Sequence, residues 1–398
     1  MKLLHTADWH LGRVLHEVNL LPYQAQFIDH FIELVKDERP DAVLLAGDVF
    51  DRAVAPVEAM SLLDEALFRL SELTQVLVIP GNHDSASRLS FGSRLFTKRV
   101  QVVCDAQQVG RPLTLGEGRA AVHLYPIPYL EPDLARHRLA RELDEDGRPV
   151  LLARSHDAVV GEAMRRINAD LSVREGVGIA IAHAFVAGSA TSDSERSISV
   201  GGAEAVSTAT LATDSNTGEH TKLRYLACGH LHRPQTPYQD DDFQVRYSGS
   251  PLPMSFSEAN DHKSTSVLEI SGGKLEVRTV EVPSELRLRN VRGTLDELKR
   301  QLPSWAEQAY VSVEITDPVR PPQLFNQVRQ LFPQALVIRH VGTGDTPGLE
   351  TSPRTETALR PQDQTEAFFT RAFDRALTDE ERGIIDSIWS QLRQEEAV

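Results

Sequence analysis

The sequence predicts an α/β fold built on a parallel sheet, followed by a small α+β module and a helical tail. In the first third, short apolar runs alternate with segments whose apolar residues recur at helical spacing. The residues best suited to chemistry fall where the short runs end. From about Val282 the pattern changes to shorter, evenly spaced elements, and after residue 341 periodicity stops before resuming as a pair of helical stripes.

Taken in order, Lys2–Thr6, Ala42–Ala46 and Val76–Ile79 read as buried strands. Between them, Phe27, Phe31 and Val35 mark one helix face, and Met60, Leu63, Leu67 and Leu70 mark another. This βαβαβ order implies parallel pairing. In open sheets of that kind, sites form outside the carboxyl ends of the strands, which is where Asp8, Asp48 and Asn82 fall. Apolar segments at His123–Ile127, Gly178–Ala182 and Tyr225–Cys228 extend the architecture, and two of them end at His183 and Gly229-His230. Residues 1–281 are therefore expected to form one domain.

Residues 282–341 are expected to form a cap. Its elements are a strand at Leu286–Val291, helical Thr294–Gln301, a strand at Tyr310–Ile315, helical Gln323–Phe332 and a strand at Ala335–His340. Residues 342–362, rich in Gly, Thr, Pro and Ser, read as a linker. In the tail, 363–398, Phe369, Phe373 and Leu377 form one apolar stripe and Ile385, Ile388, Trp389 and Leu392 a second. Thr378 and Glu381 between them have the spacing of a capping box. Two such helices carry more large apolar residues than they bury alone, so the tail is expected to bind a partner.

The chain of 398 residues is 41% hydrophobic and 25% charged, enough for two or more domains. Cys104 and Cys228 form no metal or redox motif, and the expectation is two buried thiols in a reducing compartment. No apolar leader follows Met1 and no run of ~18 apolar residues occurs, so a soluble, cytoplasmic protein without membrane contact is expected. The balance of 42 Lys+Arg against 57 Asp+Glu gives −15. Such a surface grips a polyanion poorly by itself, because affinity for nucleic acid comes largely from neutralised phosphates. A partner should supply much of that grip.

Asp8-x-His10, Gly47-Asp48, Gly81-Asn82-His83-Asp84, His183 and Gly229-His230-Leu231-His232 together offer seven metal ligands: Asp8, His10, Asp48, Asn82, His183, His230 and His232. That number suffices for two divalent cations, which roughly 3.5–4 Å apart clamp the attacking and leaving oxygens of a phosphoryl displacement. Asp48 is the candidate bridge. Oxygen and imidazole donors without thiolate suit Mn2+ or a similar dication, although raw affinity favours Zn2+. His83 completes neither shell, which frees it to protonate the departing oxygen, and Asp84 is a candidate to orient its ring. Any one block alone would be read as a turn or a core histidine; five in this order at strand ends point to a metal centre. No such support attends His5, His16, His30, His123, His156, His220, His262 or His340, nor the basic Arg88, Arg94, Lys98 and Arg99.

In order and spacing these blocks resemble the calcineurin-like metallophosphoesterases. Three stretches are more specific: His5-Thr6-Ala7-Asp8-Trp9-His10-Leu11-Gly12-Arg13, Ser194-Glu195-Arg196 with Val200-Gly201-Gly202, and Tyr247-Ser248-Gly249-Ser250-Pro251. They resemble the SbcD family of Mre-type nucleases. The resemblance implies a sheet sandwich flanked by helices, and a homodimer of Mn2+-dependent DNA nucleases. It also implies an SbcC-type, SMC-like ATPase partner in a heterotetramer of two subunits each. The activities implied are ATP-stimulated exonuclease action from double-stranded ends and endonuclease action on single-stranded or hairpin DNA, in end processing, repair, recombination and replication. Carried residue by residue, Asp8, His10, Asp48 and His232 would hold one metal, and Asp48, Asn82, His183 and His230 the other. At Asp51 this sequence departs from archaeal and eukaryotic relatives, which tend to have His there, so that residue's auxiliary role does not transfer.

Overall fold

The structure, a computed structural model, describes residues 1–341 apart from 97–98, 142–143, 145–146 and 196–204, together with 378 and 381–383. The chain divides into two compact units, Met1–Ile315 with Pro321–His340, and Thr316–Arg320 with Val341–Val398.

The first unit is built around two six-stranded sheets. In the first sheet, Lys2–Thr6, Ala42–Ala46, Gln75–Ile79 and Val100–Val102 run parallel in that order. Ser264–Ser271 joins antiparallel to Lys2–Thr6, and Lys274–Glu281 then joins Ser264–Ser271. In the second sheet, Gln244–Tyr247, Leu223–Gly229, Val177–His183 and Val122–Ile127 are parallel, with antiparallel strands at both edges. Side chains alternate across each strand, and this sets the layers. Leu44 and Ala46 point into the core between the sheets with Leu77, Ile181 and Ala227, while Val43 and Leu45 point to the helices. Helices Leu21–Glu38 and Val57–Leu73 cover the first sheet through Phe27, Phe31, Val35, Leu63 and Leu70. Helix His156–Leu171 covers the second through Val160, Ala163, Met164 and Ile167. The result is a sheet sandwich flanked by helices.

Among the described residues, the strands and helices expected with stated bounds stand within two residues of the observed ones. Met60 differs: it is 54% exposed, because its face of helix Val57–Leu73 looks out over an apolar groove rather than into the core. The Ser264–Ser271/Lys274–Glu281 hairpin has a signal in Gly272-Gly273, whose φ values of 58° and 79° suit the tight turns that favour glycine.

Leu288–Gly293, Tyr310–Ile315 and Ala335–His340 form a third, all-parallel sheet, with helices Leu295–Arg300 and Leu324–Leu331 as crossovers. Thr294 and Glu297 close a capping box that starts the first of these helices. The module has its own core of Val311, Val313, Ile315, Leu324, Val328 and Phe332. A further apolar cluster, in which Leu286 and Leu288 meet Leu15, Leu20, Leu252 and Met254, joins it to the body.

In the second unit, Glu381 N–H donates to Thr378 Oγ1 at 3.3 Å and Thr378 N–H donates to Glu381 Oε2 at 2.8 Å, closing the expected capping box as the helical residues 381–383 begin. The linker, the stripe residues Phe369, Phe373, Leu377, Ile385, Ile388, Trp389 and Leu392, and the Arg196 to Gly202 stretch lie outside the described residues. No helix among the described residues is long and apolar enough to cross a membrane.

Candidate metal centre

Every ligand candidate follows a strand of one of the two large sheets at the same edge of the sandwich. Asp8 and His10 follow Lys2–Thr6, Asp48 follows Ala42–Ala46, and Asn82 follows Gln75–Ile79. From the second sheet, His183 ends Val177–His183, and His230 and His232 follow Leu223–Gly229. The first two turns are zipped together, with Asp8 N–H donating to Gly47 O, His10 N–H to Asp48 O and Leu11 N–H to Val49 O. Four of these residues, Asp8, His10, Asp48 and His230, hold positive φ values of 54°, 44°, 45° and 105°. Such backbone is costly for residues with a Cβ and clusters at functional sites.

Asp48 lies at the centre. Its Oδ2 is 3.5 Å from His10 Nε2, 3.4 Å from His183 Nε2 and 4.0 Å from His83 Nε2, while Oδ1 accepts from His83 N–H. On one side, Asp8, His10 and His232 present ligand atoms within 4.8 Å of one another, and the Nε2 atoms of His10 and His232 are 3.0 Å apart. On the other, Asn82 Oδ1 is 2.9 Å from His183 Nε2 and 3.2 Å from His230 Nδ1. All seven candidates thus meet, in two groups that share Asp48. The grouping is not exclusive, because Asp8, Asp48 and His183 also converge, as do His10, Asp48 and His83.

The donor set fits divalent cations. Asp8 Oδ2 and His10 Nδ1 are buried and have no hydrogen-bond partner, an arrangement that costs free energy unless something else answers them. His183 Nδ1–H donates to Ala46 O at 3.0 Å, so its Nε2 lone pair faces the oxygens of Asn82 and Asp48. A proton on Nε2 would satisfy those oxygens. Burial alone lowers the His183 pKa, but the Asp48 carboxylate pushes it up to about 9. Burial likewise pushes Asp8 up to about 7. Asp48 goes the other way: burial would raise it, yet His183, His10 and His83 hold it well below the usual carboxylate range. His10 falls well below its ordinary value through burial, and His230 falls to about 3 for the same reason with His183 adding to it. Acceptors thus crowd a buried volume, where metal ions would compete with protons.

His83 also faces this volume. Its Nδ1–H donates to Asp51 O at 2.7 Å, which leaves Nε2 toward Asp48. Asp84 differs from the expectation. Instead of orienting the His83 ring, its carboxylate accepts from the backbone N–H groups of Val49, Phe50 and Gly81 at 2.9–3.0 Å. Asp84 thereby ties the turn after Ala42–Ala46 to the turn after Gln75–Ile79. Burial, with Asp48 adding to it, pushes the Asp84 carboxyl up to about 7. Three inward N–H donors outcompete an imidazole for a buried carboxylate; the ring takes the Asp51 carbonyl instead.

Several supporting residues escaped sequence reasoning. Gln24, on helix Leu21–Glu38, donates to Trp9 O and His10 O and accepts from Gly12 N–H. Glu195 accepts the His232 N–H at 3.0 Å. Ser194, Glu258 and Lys263 form a buried chain behind the His232 ring. Ser194 and Glu195 belong to a stretch that carried the family resemblance, which was the available signal. Gln24, Glu258 and Lys263 carried none. Two histidines left without a role have structural ones here: His5 is held by Tyr225 OH and Cys228 O, and His123 by Thr114 Oγ1 and Glu175 O.

Comparison with known proteins identifies the family. Residues 1–234 match the family model described as calcineurin-like phosphoesterase. Residues 286–380 match a second model, SbcD_C, described as type 5 capsule protein repressor C-terminal domain. Among solved structures, a Thermus thermophilus protein is similar at 15% identity and a TM-score of 0.38, covering 70% of this chain and 98% of its own. A dimetal phosphatase from Danio rerio is similar at 10% identity and a TM-score of 0.40, covering 71% and 98%.

Proposed function

The chain belongs to the calcineurin-like phosphoesterases and is a metal-dependent phosphoesterase of nuclease type; on that premise we propose that it is a two-metal DNA nuclease. In this reading it works in the cytoplasm as a homodimer with an SbcC-type ATPase, two subunits of each, in DNA end processing, repair and recombination. Its activities are ATP-stimulated exonuclease action on duplex ends and endonuclease action on single strands and hairpins. The observation that carries it is the position of Asp48 between two ligand groups. Asp8, His10, Asp48 and His232 would hold one ion, and Asp48, Asn82, His183 and His230 the other, with Mn2+ the metal that suits these donors.

Bound metals supply a water whose pKa is lowered toward neutrality and charge that steadies the phosphate oxygens. The protein's own part is positional. With Nδ1–H on Asp51 O, His83 presents Nε2 toward the Asp48 carboxylate 4.0 Å away and donates from that atom only as the imidazolium. His83 is then placed to protonate a departing 3′-oxygen. Asp84 holds the two turns that carry Asp48 and His83 in register.

Support for the partners is of different kinds. Self-association is favoured by a groove of 440 Å³ on the helix-covered face, lined by Phe50, Val57, Met60, Leu67, Phe91 and Phe96. Val57 and Phe91 there are 73% and 87% exposed, and clustered exposed apolar side chains of this kind often mark a protein contact. The match to SbcD_C over residues 286–380 supports the assembly with an ATPase, with residues 282–341 as a cap over DNA, 342–362 as linker and 363–398 as the docking tail. The net charge of −15 favours a partner that supplies part of the DNA grip.

The test compares Mn2+-dependent turnover of linear duplex and hairpin DNA with that of a small phosphodiester, bis(p-nitrophenyl) phosphate. DNA is expected to be the far better substrate, and cleavage confined to the small diester would overturn the reading. Truncation after Arg360 is expected to leave cleavage of simple DNA substrates intact while abolishing co-purification with the ATPase. Undiminished complex formation would remove the tail from its role.

A further inference from the structure

Behind His232 runs a chain of buried polar groups, Ser194, Glu258 and Lys263. His232 Nδ1 lies 2.5 Å from Ser194 Oγ. The Ser194 hydroxyl donates to Glu258 Oε1, on the short helical turn Phe256–Glu258. Glu258 Oε2 accepts from Lys263 Nζ at 2.6 Å and from Met254 N–H at 3.1 Å. Lys263 spends its other two protons on His232 O at 2.8 Å and Ser250 Oγ at 3.0 Å. Ser194, Glu258 and Lys263 are all buried, at 7%, 1% and 5% exposure.

The direction of each hydrogen bond is dictated by the donor inventory. Lys263 and the Met254 amide can only donate, so Glu258 Oε2 is saturated as an acceptor. A carboxylate has no proton to give at Oε1, so Ser194 spends its single hydroxyl proton there. At its contacts with Ser192 Oγ, 2.9 Å away, and His232 Nδ1 the same oxygen can then only accept, and the proton it accepts from the imidazole is the one on Nδ1. His232 is thereby left with a lone pair on Nε2, the atom that faces His10 Nε2 at 3.0 Å in the metal centre.

We propose that Glu258, held by Lys263 and acting through Ser194, is a positioning residue that fixes the tautomer of His232 with Nε2 free to bind metal. The inference rests on the metal-centre reading for its consequence, but the tautomer itself does not require a metal. Carboxylates behind ligating histidines commonly serve this purpose, and their loss typically weakens metal binding by roughly 10–100-fold. Here a serine is interposed, so the order of two protons rather than one depends on the charge of Glu258.

Glu258→Gln makes the sharpest test, because the amide cannot be placed neutrally. Its oxygen must occupy the Oε2 position, where Lys263 and the Met254 N–H both donate, which puts the NH2 against Ser194 Oγ. Ser194 then accepts from Gln and donates to His232 Nδ1, and the imidazole proton moves to Nε2. Long-range 1H–15N spectra of the chelated full-length protein should show His232 protonated on Nδ1 in the wild type and on Nε2 in E258Q. Calorimetric titration with Mn2+ should find two equivalents in the wild type, one of them weakened roughly 10–100-fold in E258Q. Ser194→Ala leaves the Lys263–Glu258 pair intact and guards against a misfolded E258Q; it should also weaken one equivalent. An Nε2 proton in the wild type, or two equivalents at wild-type affinity in S194A or in a folded E258Q, would overturn the proposal. Asp48→Ala separates the two readings: wild-type Mn2+ binding in that variant would sink the metal centre, while the tautomer spectra would still judge the relay.

Discussion

The two large sheets bring unlike chemistry to one edge. The first sheet supplies Asp8, Asp48 and Asn82, all oxygen donors, with His10 as its one imidazole, whereas the second supplies only imidazoles, His183, His230 and His232. The strands that deliver them are alike, four parallel in each sheet, with ligands at the carboxyl ends. What differs is the setting of the donors. The oxygen side is tied by backbone hydrogen bonds between adjacent turns and by Asp84, while the imidazoles are aimed by hydrogen bonds on their far nitrogens, His183 by Ala46 O and His232 by Ser194. A carboxylate has two usable oxygens and tolerates rotation; an imidazole must present one particular nitrogen, so it needs a second hydrogen bond to fix it.

This division can be broken most severely at its centre. Asp48→Ala removes the carboxylate placed between the two groups and is expected to empty both metal positions and reduce phosphodiester cleavage to background. His183→Ala, by contrast, should empty one position and leave the other filled. Elemental analysis of the two purified variants checks this, and equal metal content would mean that Asp48 is no bridge. Next in size is His83→Gln, which spares the ligands: both metals should stay and cleavage should fall by about 10²–10⁴-fold. A metal-free H83Q would show that His83 ligates, as its proximity to His10 and Asp48 allows.

The seam between the sheets gives a third test. A Cβ on Gly229 would lie 1.8 Å from Ala46 O, the carbonyl that also orients His183. Gly229→Ala should therefore force the two sheet edges apart, destabilising the fold by about 3 kcal/mol and loosening the metal held by His183 and His230. Denaturant unfolding and Mn2+ titration would check it, and an unchanged midpoint would show that the seam relaxes freely. The smallest effect is on pH. His183, raised to about 9, carries a proton below that pH that a metal must displace, so affinity weakens as pH falls. Between pH 7 and 9 Mn2+ should bind about tenfold more tightly per unit. Below about 7, where Asp8 also holds a proton, the dependence should steepen. A pH-independent affinity would place the displaced proton elsewhere.

Legibility followed the range of the interaction. Strands such as Ala42–Ala46 and Tyr310–Ile315, the helix beginning near Thr294 and the capping box at Thr378 depend on windows of a few residues, so periodicity and cap spacing were enough to find them. The ligands were legible too, because ligand-type residues stand directly after apolar runs whose ends converge in any parallel α/β sheet. By itself, then, the sequence determined the identity of the donors, the strand ends that carry them and the order of elements in both modules. Periodicity left open whether the strands form one sheet or two, since either sheet could extend the parallel run; the family resemblance implied the sandwich, and the tertiary structure has it. It decided that Met60 faces outward while Leu63 and Leu70 of the same helix turn to the core. It decided that Asp84 serves three backbone amides while Asp51 O takes the His83 ring, a competition settled by which donors folding buries beside the carboxylate. And it brought Ser194, Glu258 and Lys263 to the back of His232 across up to 69 residues of chain, because a hydrogen-bond chain between separate loops leaves no periodic trace in any of them.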